Sequence, residues 1–415
     1  MPWHSAFSKK FDQAQLGSSQ LTVVFASLAS LSPLGMDSYL PAVSEFAKSL
    51  NVSSEQASLT LSYFLVGLGL GQLVGGAWSD QKGRRVVALS GLCLYLLSSF
   101  AIVAFQVLEA ALAFRFLQGA AGGLMMVSGM AMLKDTTEPE RLAERIALAI
   151  FVIMIMPVVA PIIGSTILAF APWPAIFLMC GGVGTLMFVF IGLKVPETHS
   201  RRTGKLSPVA ALRQYAYVIG YRIEGWPVPT FQALANALGS GVMLTFVIVA
   251  PSLLMEHYGL SSAQFPLAFG AVVIAMLVGN RLGKQLLGRV RKERLYIRGL
   301  FVSAFFAVLF LALSWLVVLP VWLFILLLMF SVGSYSTIGP AGQAMYLNLL
   351  DRYYGSATAF EQTMRFSLGG VLGGIAVSLP LPPVQAAVLM FSSSVALSIL
   401  CFSGTLFHWR RVLAD

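Results

Sequence analysis

The chain has 415 residues, 57% of them hydrophobic and only 11% charged, with a formal net charge of +10 and a mean hydropathy of +0.82. A soluble domain carries about 25% charged residues, so the composition excludes a soluble enzyme and a disordered chain. The basic excess gathers in short clusters, such as Lys82 to Arg85 and Arg289 to Arg294, between long apolar runs; this excludes a nucleic-acid surface and fits loops that face an anionic leaflet.

A bilayer core about 30 Å thick takes roughly 20 apolar residues per helix. Apolar runs bounded by charge predict twelve spans, near 19–43, 55–78, 86–105, 107–133, 146–170, 173–194, 229–254, 266–283, 298–317, 320–345, 355–379 and 384–408. Residues 1–18 read as a cytoplasmic tail, since Lys9 and Lys10 are not followed by a small-residue cleavage site. Six spans form an N-terminal bundle over 19–194, and six form a C-terminal bundle over 229–408. Between them the loop 195–228 holds Pro196, Glu197, Arg201, Arg202 and Lys205. Within it, Ser207-Pro208 followed by Val209 to Tyr221 predicts a capped amphipathic helix on the membrane surface. Residues 409–415 form a second tail. Of the 27 Lys and Arg residues, 24 fall on the side of the two tails and the central loop, against Lys48 alone on the other. The expected fold class is therefore an all-α membrane protein with both termini cytoplasmic.

Glycines crowd the second span (Gly67, Gly69, Gly71, Gly75, Gly76) and the eleventh (Gly369, Gly370, Gly373, Gly374). No strand precedes either cluster and no G-x-x-x-x-G-K-[ST] occurs, which argues against nucleotide binding. Gly67, Gly71 and Gly75 recur every four residues, a smooth stripe for close helix approach. Pro157 and Pro161, with Gly164, make the fifth span deformable, an expected hinge. Cys93, Cys180 and Cys401 all lie inside apolar runs, without metal-ligand spacing.

Four stretches carry a family resemblance. They are Asp37-Ser38-Tyr39-Leu40-Pro41-Ala42, Gly76-Ala77-Trp78-Ser79-Asp80-Gln81-Lys82-Gly83-Arg84-Arg85, Arg115-Phe116-Leu117-Gln118-Gly119 and Pro157-Val158-Val159-Ala160-Pro161-Ile162-Ile163-Gly164. Together they resemble a major facilitator superfamily transporter of the Bcr/CflA-type drug–proton antiporter branch. Gln81 and Trp78 depart from the usual residues of the signature loop. The resemblance implies twelve transmembrane helices in two six-helix bundles that rock around a central cavity. It also sets the second and eleventh helices side by side, from which an approach of Gly71 to Gly373 is expected.

Charges at membrane depth are costly and point to function. Asp37 is the only carboxylate of the first span. Burial disfavours the charged form of a carboxylate, so a protonation switch is expected there, against a helix-end cap or an Arg partner as the plainer alternative. The resemblance implies that Asp37 is the branch's functional acid and that Arg115 belongs to its proton relay or organises the cavity; a structural tie to backbone carbonyls is the alternative for Arg115. Glu361 and Arg365, four residues apart in the favourable order, fit structural self-pairing and substrate contact equally. Gly76, Asp80, Gly83, Arg84 and Arg85 form an expected inner-gate latch, against a merely solvated basic loop. Tyr39, Tyr63, Met125, Met126, Asn236, Tyr335 and Gln343 are candidates for lining an amphipathic cavity.

The expected function is proton-coupled export of small amphipathic molecules across a bacterial inner membrane by alternating access. The alternative is a dedicated exporter of an anionic metabolite such as a carboxylate siderophore, which Arg115 and Arg365 would suit. An intramembrane enzyme is disfavoured, because no H-E-x-x-H, G-x-S-x-G or paired Asp occurs. The expected partners are a small-molecule substrate, protons and the bilayer, with no nucleic acid, a monomeric state and no cofactor beyond the proton gradient.

Overall fold

The computed structural model describes residues 18–198 and 208–409. The helices predicted from apolar runs are all present: α1 (Ser18–Asp37), α2 (Ser54–Lys82), α3 (Arg84–Ala104), α4 (Leu108–Asp135), α5 (Pro139–Leu168), α6 (Pro174–Lys194), α7 (Val228–His257), α8 (Phe265–Leu287), α9 (Lys292–Leu316), α10 (Val321–Asn348), α11 (Tyr354–Ser378) and α12 (Pro383–Ser403). Among the described residues, eleven helical stretches are long and apolar enough to cross a membrane, and α11 is not one of them. It carries Glu361 and Arg365, and it can be polar because it packs lengthwise between α2 and α7.

Several boundaries differ from the sequence reading. The first span does not run unbroken to residue 43. Pro41 has no amide hydrogen to give the helix, so α1 stops at Asp37, a 3-10 turn covers Leu40–Ala42, and a short helix continues over Val43–Leu50. Asn51 closes that helix in the left-handed region at φ 53°. Ser53 and Gln56 then form a reciprocal capping box that starts α2. The seventh span is segmented at Ser240 and widens into a π-helix over Pro251–His257. The last helix ends at Ser403, five residues short of the expected bound. The amphipathic helix is present as Pro208–Gly220; its expected cap Ser207 and most of both tails lie outside the described residues.

The two halves repeat one packing scheme. Gly67 and Gly71 of α2 abut the backbone of Phe116 and Ala120 in α4, and Gly279 and Gly283 of α8 abut Gly333 and Thr337 in α10. A Cβ at any of these would collide with a carbonyl, so glycine sets the helix spacing. One apolar cluster runs from Leu61 and Leu65 of α2 to Leu372 and Ala376 of α11 and Phe246 of α7, joining the bundles.

Candidate functional site

The break after Asp37 builds the first part of the site. Asp37 and Tyr39 are buried at the end of α1, and Arg115 of α4 is 1% exposed. Arg115 Nη1 donates to the Gly35 carbonyl at 3.1 Å and to Gln118 Oε1 at 2.7 Å. Gln118 Nε2 in turn donates to Ser99 Oγ at 2.8 Å. The remaining Arg115 nitrogens, Nε and Nη2, have no hydrogen-bond partner among the described residues. The guanidinium lies instead among three rings, with centroids at 4.5 Å (Phe64), 4.9 Å (Tyr39) and 5.6 Å (Phe177). Such faces are a favourable surround for a guanidinium.

Asp37 feels the field of Arg115, while the Arg115 hydrogen bonds themselves go to Gly35 and Gln118. Of the two expectations for Arg115, the structure shows the tie to a backbone carbonyl, that of Gly35, two residues before the acid. Gly164 of α5 completes the wall. Its Cα lies so close to the Ser38 carbonyl, one residue from Asp37, that a Cβ would collide with it. The expected hinge residues Pro157 and Pro161 sit within a continuous helix.

A second polar cluster lies in the C-terminal half. Glu361 of α11 is fully buried, and its Oε1 accepts from Asn236 Nδ2 at 3.0 Å. Arg365 Nη2 stands 3.7 Å from the same oxygen. Asn236 Oδ1 accepts from Gln232 Nε2 at 3.2 Å and from the Tyr296 hydroxyl at 3.1 Å. The Tyr335 hydroxyl donates to the carbonyls of Ala235 and Asn236 at 3.0 and 3.2 Å. Thus Asn236, Tyr335, Glu361 and Arg365 do come together, while Gln343 is only half-buried on α10.

Other expected cavity residues are placed differently. Met125 is fully buried inside the N-terminal bundle against Gly91, so it is core. Met126 is half-buried, with Gln72 Nε2 at 3.6 Å from its sulfur. Tyr39 packs into the ring cage around Arg115, 5.2 Å from Phe177 and 5.6 Å from Phe46, and does not line an open space. Tyr63 is 45% exposed and lines a groove of about 560 Å³ between α2 and α11, with Val66, Phe116, Gly370 and Ile375.

The basic loop between α2 and α3 is a tight local assembly. Arg84 pairs with Asp80 and, at 3.2 Å, with Asp135 of α4. Gly83 adopts φ 105°, a conformation natural to glycine, which turns the chain so that Glu197 accepts from the Arg84 amide at 2.9 Å. Arg85 reaches the Gly192 carbonyl. Gly76 lies beside the Tyr215 hydroxyl of the surface helix, which donates to Leu73 O at 2.9 Å. Burial, with Asp80 nearby, pushes the Tyr215 phenol up to about 12, so it stays a donor. All these ion pairs lie within the N-terminal half.

Sequence reasoning gave no site role to Gln118, Ser99, Phe64 and Phe177 around Arg115, to Gln232 and Tyr296 around Glu361, or to Asp135 and Glu197 against the α2–α3 loop. A usable signal existed for two of them. Gln118 follows Arg115 by three residues and Gln232 precedes Asn236 by four, so each pair shares a helix face.

Comparison with known proteins agrees with this architecture. The chain is 28% identical over 382 residues to a bicyclomycin resistance protein homolog of Haemophilus influenzae, covering 90% of this chain and 93% of that one. It is 28% identical over 274 residues to the multidrug resistance protein MdtL of Shewanella oneidensis, covering 66% and 67%. Among solved structures, a D-xylose–proton symporter matches with TM-score 0.68 at 13% identity, covering 91% of this chain and 96% of that one. A bacterial homolog of the human lysosomal transporter Spinster, in an inward-facing and unoccupied conformation, matches with TM-score 0.65 at 14% identity, covering 94% and 96%. The family model for the Major Facilitator Superfamily matches residues 25–374, the stretch that holds Asp37, Arg115, the α2–α3 loop and Glu361, and the chain belongs to that superfamily.

Proposed function

We propose that the protein exports small amphipathic molecules across a bacterial inner membrane, using the proton gradient and alternating access. The observation that carries this reading is Asp37. It is a buried acid at a break in α1, beside an arginine whose hydrogen bonds go elsewhere. Such an acid can lose or gain a proton without dismantling an ion pair, and each change alters the charge felt by Arg115. Gly164 places α5 directly on this break, so a change at Asp37 has a mechanical neighbour. The similarity to bicyclomycin and multidrug resistance proteins supports a drug-like substrate.

The test uses proteoliposomes with an imposed pH gradient and bicyclomycin as the first of a panel of probes. Asp37→Asn should abolish gradient-driven transport while leaving thermal unfolding in detergent unchanged. Full proton-driven transport by that variant would sink the reading.

A further inference from the structure

Glu361 has no exposed surface, and a directed chain of donors ends on it. Trp409 Nε1 donates to Gln232 Oε1 at 3.3 Å, and Gln232 Nε2 donates to Asn236 Oδ1 at 3.2 Å. The Tyr296 hydroxyl donates to the same Asn236 oxygen at 3.1 Å. Gln232, itself oriented by Trp409, can offer the Asn236 amide only a donor, so Asn236 keeps Oδ1 on that side and its Nδ2 donates to Glu361 Oε1 at 3.0 Å. The other carboxyl oxygen, Oε2, is buried with no hydrogen-bond partner among the described residues. Arg365, one turn along α11, stays 3.7 Å from Oε1, and its own Nε is likewise buried and unpartnered. A closed charge-assisted bond would measure about 2.7–2.9 Å.

The carboxyl group is thus half satisfied, and a half-satisfied buried charge is the expensive case. Two states of the cluster relieve it. With Glu361 ionised, Arg365 closes the remaining distance. With a proton on Oε2, the charge is gone, the bond from Asn236 to Oε1 survives, and Arg365 is free. The titratable and charged groups facing Glu361 are Arg365 from α11, Tyr296 from α9, and Tyr335 and Tyr346 from α10. From α7 come the neutral amides Gln232 and Asn236.

We propose that Glu361 is a second proton-binding group of the transporter, taking its proton on Oε2 and thereby releasing Arg365 to meet substrate. The step is an acid–base exchange. A hydronium ion gives its proton to Oε2 and is left as water, the guanidinium keeps its charge, and the pair passes from neutral to singly positive. Arg365, whose side chain is 28% exposed, then has guanidinium donors to offer an acceptor-bearing molecule. The proposal rests on the proton-coupled reading above, in which Asp37 is the first such group.

Infrared spectroscopy of the full chain in substrate-free proteoliposomes, titrated over pH in water and in D2O, separates the two acids. Asp37→Asn should remove one protonated-carboxyl band and leave another, and Glu361→Gln should remove that other one. If Glu361→Gln leaves every titrating buried-carboxyl band in place, the proposal is overturned, whatever happens at Asp37. If Asp37→Asn removes nothing, the fault lies instead with the first acid. Should Glu361→Gln fail to fold, Asn236→Leu serves. Loss of its donor should move the midpoint of the Glu361 band and leave the Asp37 band fixed; no movement would equally overturn the assignment.

Discussion

Gly164 matters at the scale of one residue because its missing side chain is the space in which the α1 break sits. A methyl group there would strike the Ser38 carbonyl and approach Pro41 Cγ at 3.1 Å. Backbone is a stiff obstacle, and overpacking of this kind costs about 1–3 kcal/mol. Gly164→Ala should therefore lower the melting temperature in detergent and impair transport together. Gly182→Ala on the neighbouring α6, where a Cβ would meet nothing within 4 Å, should do neither. Equal behaviour of the two variants would show that the break yields freely. The same neighbourhood explains what a sequence exposes. Asp37 and Arg115 were legible because a charge in an apolar run is conspicuous. Phe64 and Phe177, which enclose Arg115, were not, because an aromatic residue in such a run has the same appearance whether it faces lipid, core or a guanidinium.

Helices were legible by length and apolarity, but their faces were not. Residues two positions apart on a helix point to different neighbours, and the glycine clusters illustrate it. On α2, Gly67 and Gly71 face α4, whereas Gly69 faces Thr363 and Ser367 of α11. On α11, Gly369 and Gly373 face Leu244 and Ile248 of α7, and Gly370 and Gly374 face Ser62 of α2. The expected closeness of α2 and α11 holds, with Thr363 Oγ1 donating to Gly69 O at 2.9 Å, but the Gly71–Gly373 pairing does not. Each of those glycines is turned toward a different helix. A Cβ on Gly374 would stand 3.5 Å from Ser62 Cβ, at the short end of the range for a disulfide, about 3.5–4.5 Å. With the native Cys93, Cys180 and Cys401 replaced, Ser62→Cys with Gly374→Cys should cross-link on mild oxidation, and Gly71→Cys with Gly373→Cys should not. The reverse outcome would mean that one helix is rotated about its axis.

Across the whole molecule, contacts between the bundles are uneven from end to end. At the end holding the α1 break, Ser54 at the start of α2 donates to Glu256 at the end of α7. There too, Ser165 Oγ of α5 donates to the Ser262 carbonyl before α8 at 2.7 Å. The opposite, basic end is joined through the surface helix: Tyr215 holds Leu73 O of α2, while Gln214 accepts from Ser356 of α11 at 2.8 Å and Tyr217 donates to Asp351 at 2.7 Å. If the basic end is cytoplasmic, as the charge distribution leads one to expect, the direct bonds close the outer face. Glu256 also meets the N-terminus of α2, whose partial positive charge favours a carboxylate. A part-buried bond of this kind contributes about 1 kcal/mol, so losing it should shift a two-state opening equilibrium roughly fivefold. Spin labels at Gln106 and Val318, both exposed and in opposite bundles, report on that face through pulsed electron resonance distances. Glu256→Ala should enlarge the long-distance population, and adding Ser165→Ala should enlarge it further. Tyr215→Phe, acting at the far end, should not. Distances that ignore the first two changes and follow the third would place the closing contacts in the surface helix instead, and the outer bonds would then be incidental to the transport cycle.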